Sequence, residues 1–126
     1  MFNKKESVED YLEKILMLKE KQENVRAIDL ANFMSFSKPS VSNALKKLKQ
    51  YGYVTVNEDD GFINLTPEGE RIARATYERH TVISQVLISL GVSQETAYED
   101  ACSTEHIISE ETFNVLKEYY QKNIKK

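Results

Sequence analysis

The chain has 126 residues, 40 % of them hydrophobic and 29 % charged, with only four Gly and two Pro. That composition gives room for one compact core, or for two small subdomains sharing a helix; it excludes large enzyme folds and does not suit a linker or a disordered tail. The formal net charge of −3 argues against nucleic acid as a sum, yet residues 38–50 carry Lys38, Lys46, Lys47 and Lys49 without an acid, whereas residues 80–116 carry Glu95, Glu99, Asp100, Glu105, Glu110 and Glu111 without a Lys or Arg. One segment suits phosphate and the other suits cations.

From Ser7, read as an N-cap, Val8, Tyr11, Leu12, Ile15 and Leu18 recur at helical spacing and predict a first helix to about Gln22. Asp10 and Glu13 stand one turn apart on its flank. The stretch AIDLANFM (27–34) predicts a short second helix, and SKPSVSNALKKLKQYG, after a turn at Ser35 and Phe36, predicts a third. Together they make a helix-turn-helix pattern. In the third helix Val41, Ala44, Leu45 and Leu48 form the inward stripe, Pro39 is tolerated in the first turn, and Gly52 ends the element. YVTV and FINL alternate as two strands around NEDDG, a hairpin placed where a wing would stand. Thr66 and Pro67 supply the N-cap and first position of a long fourth helix, carried by Ile72, Ala73, Ala75, Thr76, Val82, Ile83, Val86 and Leu87 to Gly91. Ser93 caps a fifth helix to about Ile107, and Ser109 a sixth, in which Phe113, Leu116, Tyr119 and Tyr120 repeat at helical spacing.

The predicted fold is mainly α: a winged helix-turn-helix over residues 1–70 with a small β-hairpin wing, then a helical domain over residues 71–126. The apolar faces exceed what one small subdomain can bury, which predicts a homodimer. The opening MFNKKESVEDYLEKI lacks the apolar run of a secretory signal, and no later segment approaches a membrane span, so a cytosolic location is expected. The single cysteine, Cys102, cannot close an intrachain disulfide and suits a reducing compartment.

Helix-turn-helix proteins lay the second helix of the motif in the major groove of DNA. Ser37, Lys38, Pro39, Ser40, Ser42 and Asn43 occupy its start here, and Lys46 and Lys47 follow on the same polar side. Asn pairs bidentately with adenine, Ser reaches bases or phosphates, and Lys neutralises the backbone. The acids Glu58, Asp59 and Asp60 at the wing tip would be repelled by phosphate. A second constellation is Cys102, Glu105 and His106, at i, i+3 and i+4 on the predicted fifth helix and therefore on one face. Thiolate, carboxylate and imidazole are ligands of divalent transition metals. Asp10, Glu13 and His80 offer further donors from other helices.

SVEDYLEKI, SKPSVSNALKKL, LTPEGE, the ERH at 78–80 and EDACSTEHIIS at 99–109 resemble the diphtheria toxin repressor family, the iron- and manganese-dependent repressors, over nearly the whole chain. The resemblance implies a metal-dependent DNA-binding repressor of metal homeostasis genes, with a winged helix on operator DNA and a helical domain that dimerises. It implies metal contacts from Asp10, Glu13, His80, Cys102, Glu105 and His106, and DNA contacts from Ser37, Lys38, Pro39, Ser40, Ser42 and Asn43. It further implies the short two-domain form of the manganese transport regulator branch, without an SH3-like third domain. Asp10 fits that branch where iron-type members carry Met, as does Tyr98 where they place an ancillary-site His, and Ser84 replaces an ancillary-site Glu of the iron type. Cys102 is the iron-type residue where manganese regulators carry Glu, so the implied cofactor is Fe(II) or Mn(II), with Co(II) and Zn(II) compatible with the thiolate.

A winged-helix regulator sensing a small organic effector is the main competing reading, because the fold alone does not dictate the signal. A structural winged helix that does not bind DNA is another. A metalloenzyme would need a nucleophile motif or an independent general base beside the donors, and the chain offers neither, so no enzymatic activity is expected.

Overall fold

The computed structural model describes residues 4–125. In chain order these form α1 (Lys4–Lys21), α2 (Ala27–Met34), α3 (Lys38–Gln50), β1 (Val54–Val56), β2 (Ile63–Leu65), α4 (Pro67–Ser89), α5 (Gln94–Thr104) and α6 (Glu110–Asn123). This is the mainly α architecture with one small hairpin that the periodicities predicted. α1 starts at Lys4 rather than at the expected cap, Ser7: Lys and Glu are good helix formers, so the ladder extends back by a turn. Two compact units divide inside α4, one ending at Arg74 and the other starting at Ala75.

In the first unit α1 packs on α2 and β2, α2 on α3, and α3 on β1. The core is drawn from each element: Leu12 and Ile15 of α1, Leu30 of α2, Val41 and Leu48 of α3, Val54 of β1 and Ile63 of β2 are all buried. Ser35 closes α2 in the left-handed region (φ 59°), with its N–H and that of Phe36 returning to Asn32 and Ala31 carbonyls. That tight reversal sets α3 at its angle to α2. Burying Val41, Leu45 and Leu48 of α3 leaves its polar side outward.

The wing is antiparallel, with Val54 opposite Leu65 and Val56 opposite Ile63. Its turn is longer than a two-residue Asp-Gly reversal: Gly61 N–H returns to Asn57 O at 2.9 Å, and the Asn57 side chain accepts from Asp59 and Asp60 N–H. Hydrogen bonds tie the wing to α1 and to the loop before α2. Ile63 N–H donates to Val25 O at 2.7 Å, Lys19 Nζ donates to Asn64 Oδ1 at 2.7 Å, and Arg26 Nε donates to Asp60 O at 2.8 Å while its guanidinium lies 4.5 Å over the Phe62 ring. Thr66 Oγ1 accepts from Gly69 N–H at 3.1 Å, the N-cap expected for α4. Gly69 is required at this point because any Cβ would overlap the Tyr53 carbonyl.

The second unit holds the rest of α4 with α5 and α6. Val82 and Val86 of α4 and Phe113 of α6 form its core, with Ile108, Leu116, Tyr120 and Ile124 packed against them. Tyr119, expected in the apolar stripe, is 41 % exposed; the inward positions run 113, 116, 120 and 124, and Tyr119 falls one residue, about 100°, off that line. α5 stops at Thr104, short of the Ile107 expected from sequence. Ser109 must leave the helical conformation (φ −69°, ψ 160°) to cap α6 through Thr112 N–H, so the ladder breaks before it. Ile107 and Ile108 N–H both close on Thr104 O, at 3.0 and 3.1 Å, and residues 105–108 become a turn.

Candidate metal centre and DNA-reading helix

Ser93 caps α5 by accepting from Thr96 N–H at 3.3 Å, which fixes where the helix starts. Ala97 and Ala101, both fully buried, mark its inward face, and Glu105 follows at the same four-residue spacing with 1 % exposure. Glu105 and His106 therefore face inward although they belong to the turn and not to the helix proper. His80, from α4, meets them: its Nδ1 lies 3.2 Å from Glu105 Oε2 and 3.8 Å from Cys102 Sγ. The other carboxylate oxygen, Glu105 Oε1, lies 3.3 Å from His106 Nε2. The Tyr98 ring stands against His80 with centroids 5.4 Å apart, and Gln94 Nε2 donates to its hydroxyl.

One donor atom from each of His80, Cys102 and Glu105 lies within 4.8 Å of the other two. With His106, which meets Glu105, this is a partly buried set of two imidazoles, one thiol and one carboxylate, the S, N and O donors that suit a divalent transition metal. The residues present fit such an ion. Four of the six donors named from the sequence thus come together in the second unit.

Asp10 and Glu13 belong to the first unit, one turn apart on α1. Lys14 Nζ lies 3.0 Å from Asp10 Oδ1 and 3.2 Å from Glu13 Oε1, with little exposure on any of the three side chains. The neighbouring Tyr11 phenol is raised above the usual tyrosine range, first by burial and then by the Asp10 charge. Sequence reasoning passed over Lys14, although its spacing from Asp10, i to i+4, is the signal of a helical ion pair. It also passed over Arg79, whose Nη1 donates to Glu105 O at 3.3 Å and Ile108 O at 3.0 Å; adjacency to His80 was the only hint.

The DNA-reading candidates lie in the first unit and are all exposed: Ser37, Lys38, Pro39, Ser40, Ser42, Asn43, Lys46 and Lys47. Ser37 caps α3, accepting from Ser40 N–H at 3.3 Å and donating to Ser40 Oγ at 2.8 Å. Pro39 sits in the first turn, where its missing N–H costs nothing. No acid stands in that turn, so the positive end of the helix dipole faces outward beside Lys38.

Two family models match consecutive parts of the chain: the N-terminal DNA binding domain of the iron dependent repressors over residues 5–62, and their metal binding and dimerisation domain over residues 66–124. The transcriptional regulator MntR of Salmonella typhimurium is 35 % identical over 121 residues, covering 96 % of this chain and 76 % of that protein. An uncharacterised HTH-type transcriptional regulator of Methanocaldococcus jannaschii is 36 % identical over 119 residues, covering 93 % of this chain and 94 % of that one. Among solved structures, the manganese regulator SloR superposes with a TM-score of 0.79 at 30 % identity, covering 90 % of this chain and 53 % of that one. A manganese-dependent transcriptional repressor in complex with manganese gives 0.80 at 28 % identity, covering 90 % and 52 %. The chain spans about half the length of these solved structures. Matched along both halves by models of one family, and related at this identity over almost all its length, the chain belongs to the iron dependent repressor family.

Proposed function

We propose that this protein is a cytosolic transcriptional repressor, active as a homodimer, whose affinity for operator DNA depends on a divalent transition metal, Fe(II) or Mn(II). The observation that carries the reading is the convergence of half-buried His80 and Cys102 with buried Glu105 and His106, from α4, α5 and the turn after it. Asp10 and Glu13 of α1 are proposed as further oxygen ligands, on the strength of their donor chemistry. When bound, a divalent ion supplies the positive charge that offsets the Glu105 carboxylate and a Cys102 thiolate. Each protein group then has a defined part: the two imidazoles donate neutral nitrogen, Glu105 and the α1 acids donate hard oxygen, and Cys102 donates soft sulfur.

On DNA, α3 enters the major groove, with Asn43 and the serines at base edges and Lys38, Lys46 and Lys47 on phosphates. A dimer offers two such helices, and two half-sites about one helical turn apart are engaged together only when their separation is held. The centre binds an ion and does no chemistry on a substrate, so no enzymatic step is assigned. Electrophoretic retention of promoter DNA, with the metal added and with a chelator, tests the reading. Retention only with metal is expected, and full operator affinity in chelator-treated protein would overturn it.

A further inference from the structure

The turn after α5 carries two of the four clustered donors, Glu105 and His106; its amides close back on the helix, Glu105 N–H on Ala101 O at 2.9 Å and Ile107 and Ile108 N–H on Thr104 O at 3.0 and 3.1 Å. Its carbonyls need partners from elsewhere. Two of them are held by one side chain: Arg79 Nη1 donates to Glu105 O at 3.3 Å and to Ile108 O at 3.0 Å, the first and last residues of the turn. The same guanidinium lies 5.1 Å over the ring of Phe113, which is anchored in the core with Val82 and Val86. Arg79 is also the residue before His80. One turn of α4 thus fixes Glu105 by its backbone and, through His80 Nδ1 at 3.2 Å, meets it at its carboxylate.

We propose that Arg79 is the positioning residue of the metal centre, clamping the turn 105–108 so that Glu105 and His106 present their donors to His80 and Cys102. The inference rests on the metal-centre reading above. Arginine suits the task for three physical reasons. A single nitrogen of the charged guanidinium, Nη1, reaches two carbonyls at once. From the interior of α4, its guanidinium reaches the carbonyls just past the C-terminus of α5, where a cation is favoured. It spends its donors on backbone carbonyls, so it does not compete for the Glu105 carboxylate oxygens, which face His80 and His106. A lysine would keep the charge but lose the planar fork stacked on Phe113.

The test adds Co(II) alone to the full chain under anaerobic conditions, with affinity measured by chelator competition. The thiolate-to-cobalt absorption band reports Cys102, and the d–d bands report coordination geometry. Arg79→Lys and Arg79→Gln should lower Co(II) affinity roughly 10- to 100-fold, the range typical of groups that orient metal ligands, and change the d–d bands, while the metal-free variants keep their helical circular dichroism. Val86→Ala, in the same core but with no part in the clamp, is the control for a merely structural role: it should lower the thermal unfolding midpoint while leaving affinity and bands as in the parent. Arg79 variants that bind Co(II) with parental affinity and spectrum overturn the proposal. So does a Val86→Ala variant that loses affinity in step with stability, or an Arg79→Lys variant that fails to fold, since either places Arg79 in the scaffold alone. The underlying reading is judged separately: the parent must bind Co(II) with a thiolate band that Cys102→Ser abolishes, and a parent without that band overturns the metal centre itself, and this inference with it.

Discussion

His80 Nδ1 stands 3.2 Å from Glu105 Oε2, and this contact joins α4 to the turn that follows α5. The carboxylate reaches a second imidazole, His106, through its other oxygen. Glu105→Gln keeps the shape and removes the charge from the middle of the cluster. Metal affinity should fall by more than the roughly 10- to 100-fold loss expected for an outer partner, and metal-activated DNA binding should disappear. His106→Ala should do the same. Circular dichroism should remain helical in both, because the apolar contacts of Val82, Val86 and Phe113 are untouched. Metal-dependent repression retained by either variant would place the centre elsewhere.

Cys102 Sγ lies 3.8 Å from His80 Nδ1, which puts a soft donor beside an imidazole. Sulfur gains more with later first-row ions, whereas Mn(II) stands lowest in the affinity order and suits carboxylate and water. The parent should therefore favour Fe(II), Co(II) or Zn(II) relative to a site built only of oxygen and nitrogen. Cys102→Glu should raise Mn(II) activation relative to Fe(II), read as half-maximal operator binding under anaerobic conditions. An unchanged ratio would show that the sulfur is a packing atom and not a ligand.

The Lys14 ammonium contacts both proposed α1 ligands, at 3.0 Å from Asp10 and 3.2 Å from Glu13. A divalent cation claiming those oxygens has to displace it, so the ion pair opposes metal binding. Lys14→Gln should raise metal affinity, measured by isothermal titration of the metal alone. Lower affinity in the variant would mean that Lys14 helps to place the carboxylates.

The exposed side of α3 carries two chemically different groups. Lys46→Ala or Lys47→Ala should weaken binding to all DNA sequences alike and reduce the salt dependence by roughly one unit of slope, because each removes one phosphate contact. Asn43→Ala should instead relax preference at one base position, by about 1–3 kcal/mol. Titrating an operator and its single-base variants at several salt concentrations separates the two. A uniform loss of affinity in Asn43→Ala would remove its base-reading role.

Much of this protein was legible in the sequence because local chemistry dictates it. Ser37, Thr66, Ser93 and Ser109 start helices because a hydroxyl one residue outside the first turn satisfies an N–H that the ladder leaves open. Val41, Leu45 and Leu48 share the inward side of α3 because 3.6 residues make a turn, and that periodicity alone left Ser40, Asn43, Lys46 and Lys47 outside. The donor types at Cys102, Glu105 and His106 raised a metal as one reading of that run, and the metal role remains a proposal. The tertiary structure decided what depends on partners distant in the chain. Cys102, Glu105 and His106 were expected on one helix, but α5 ends at Thr104, and the last two donors ride on a turn held by Arg79 from α4. Gly69 reads as an ordinary helix interior until the Tyr53 carbonyl is found where its Cβ would stand. Periodicity and capping are properties of neighbours within four residues, whereas the clamp on Glu105 spans 26 residues and the approach at Gly69 spans 16, so only the folded chain could bring those groups into contact.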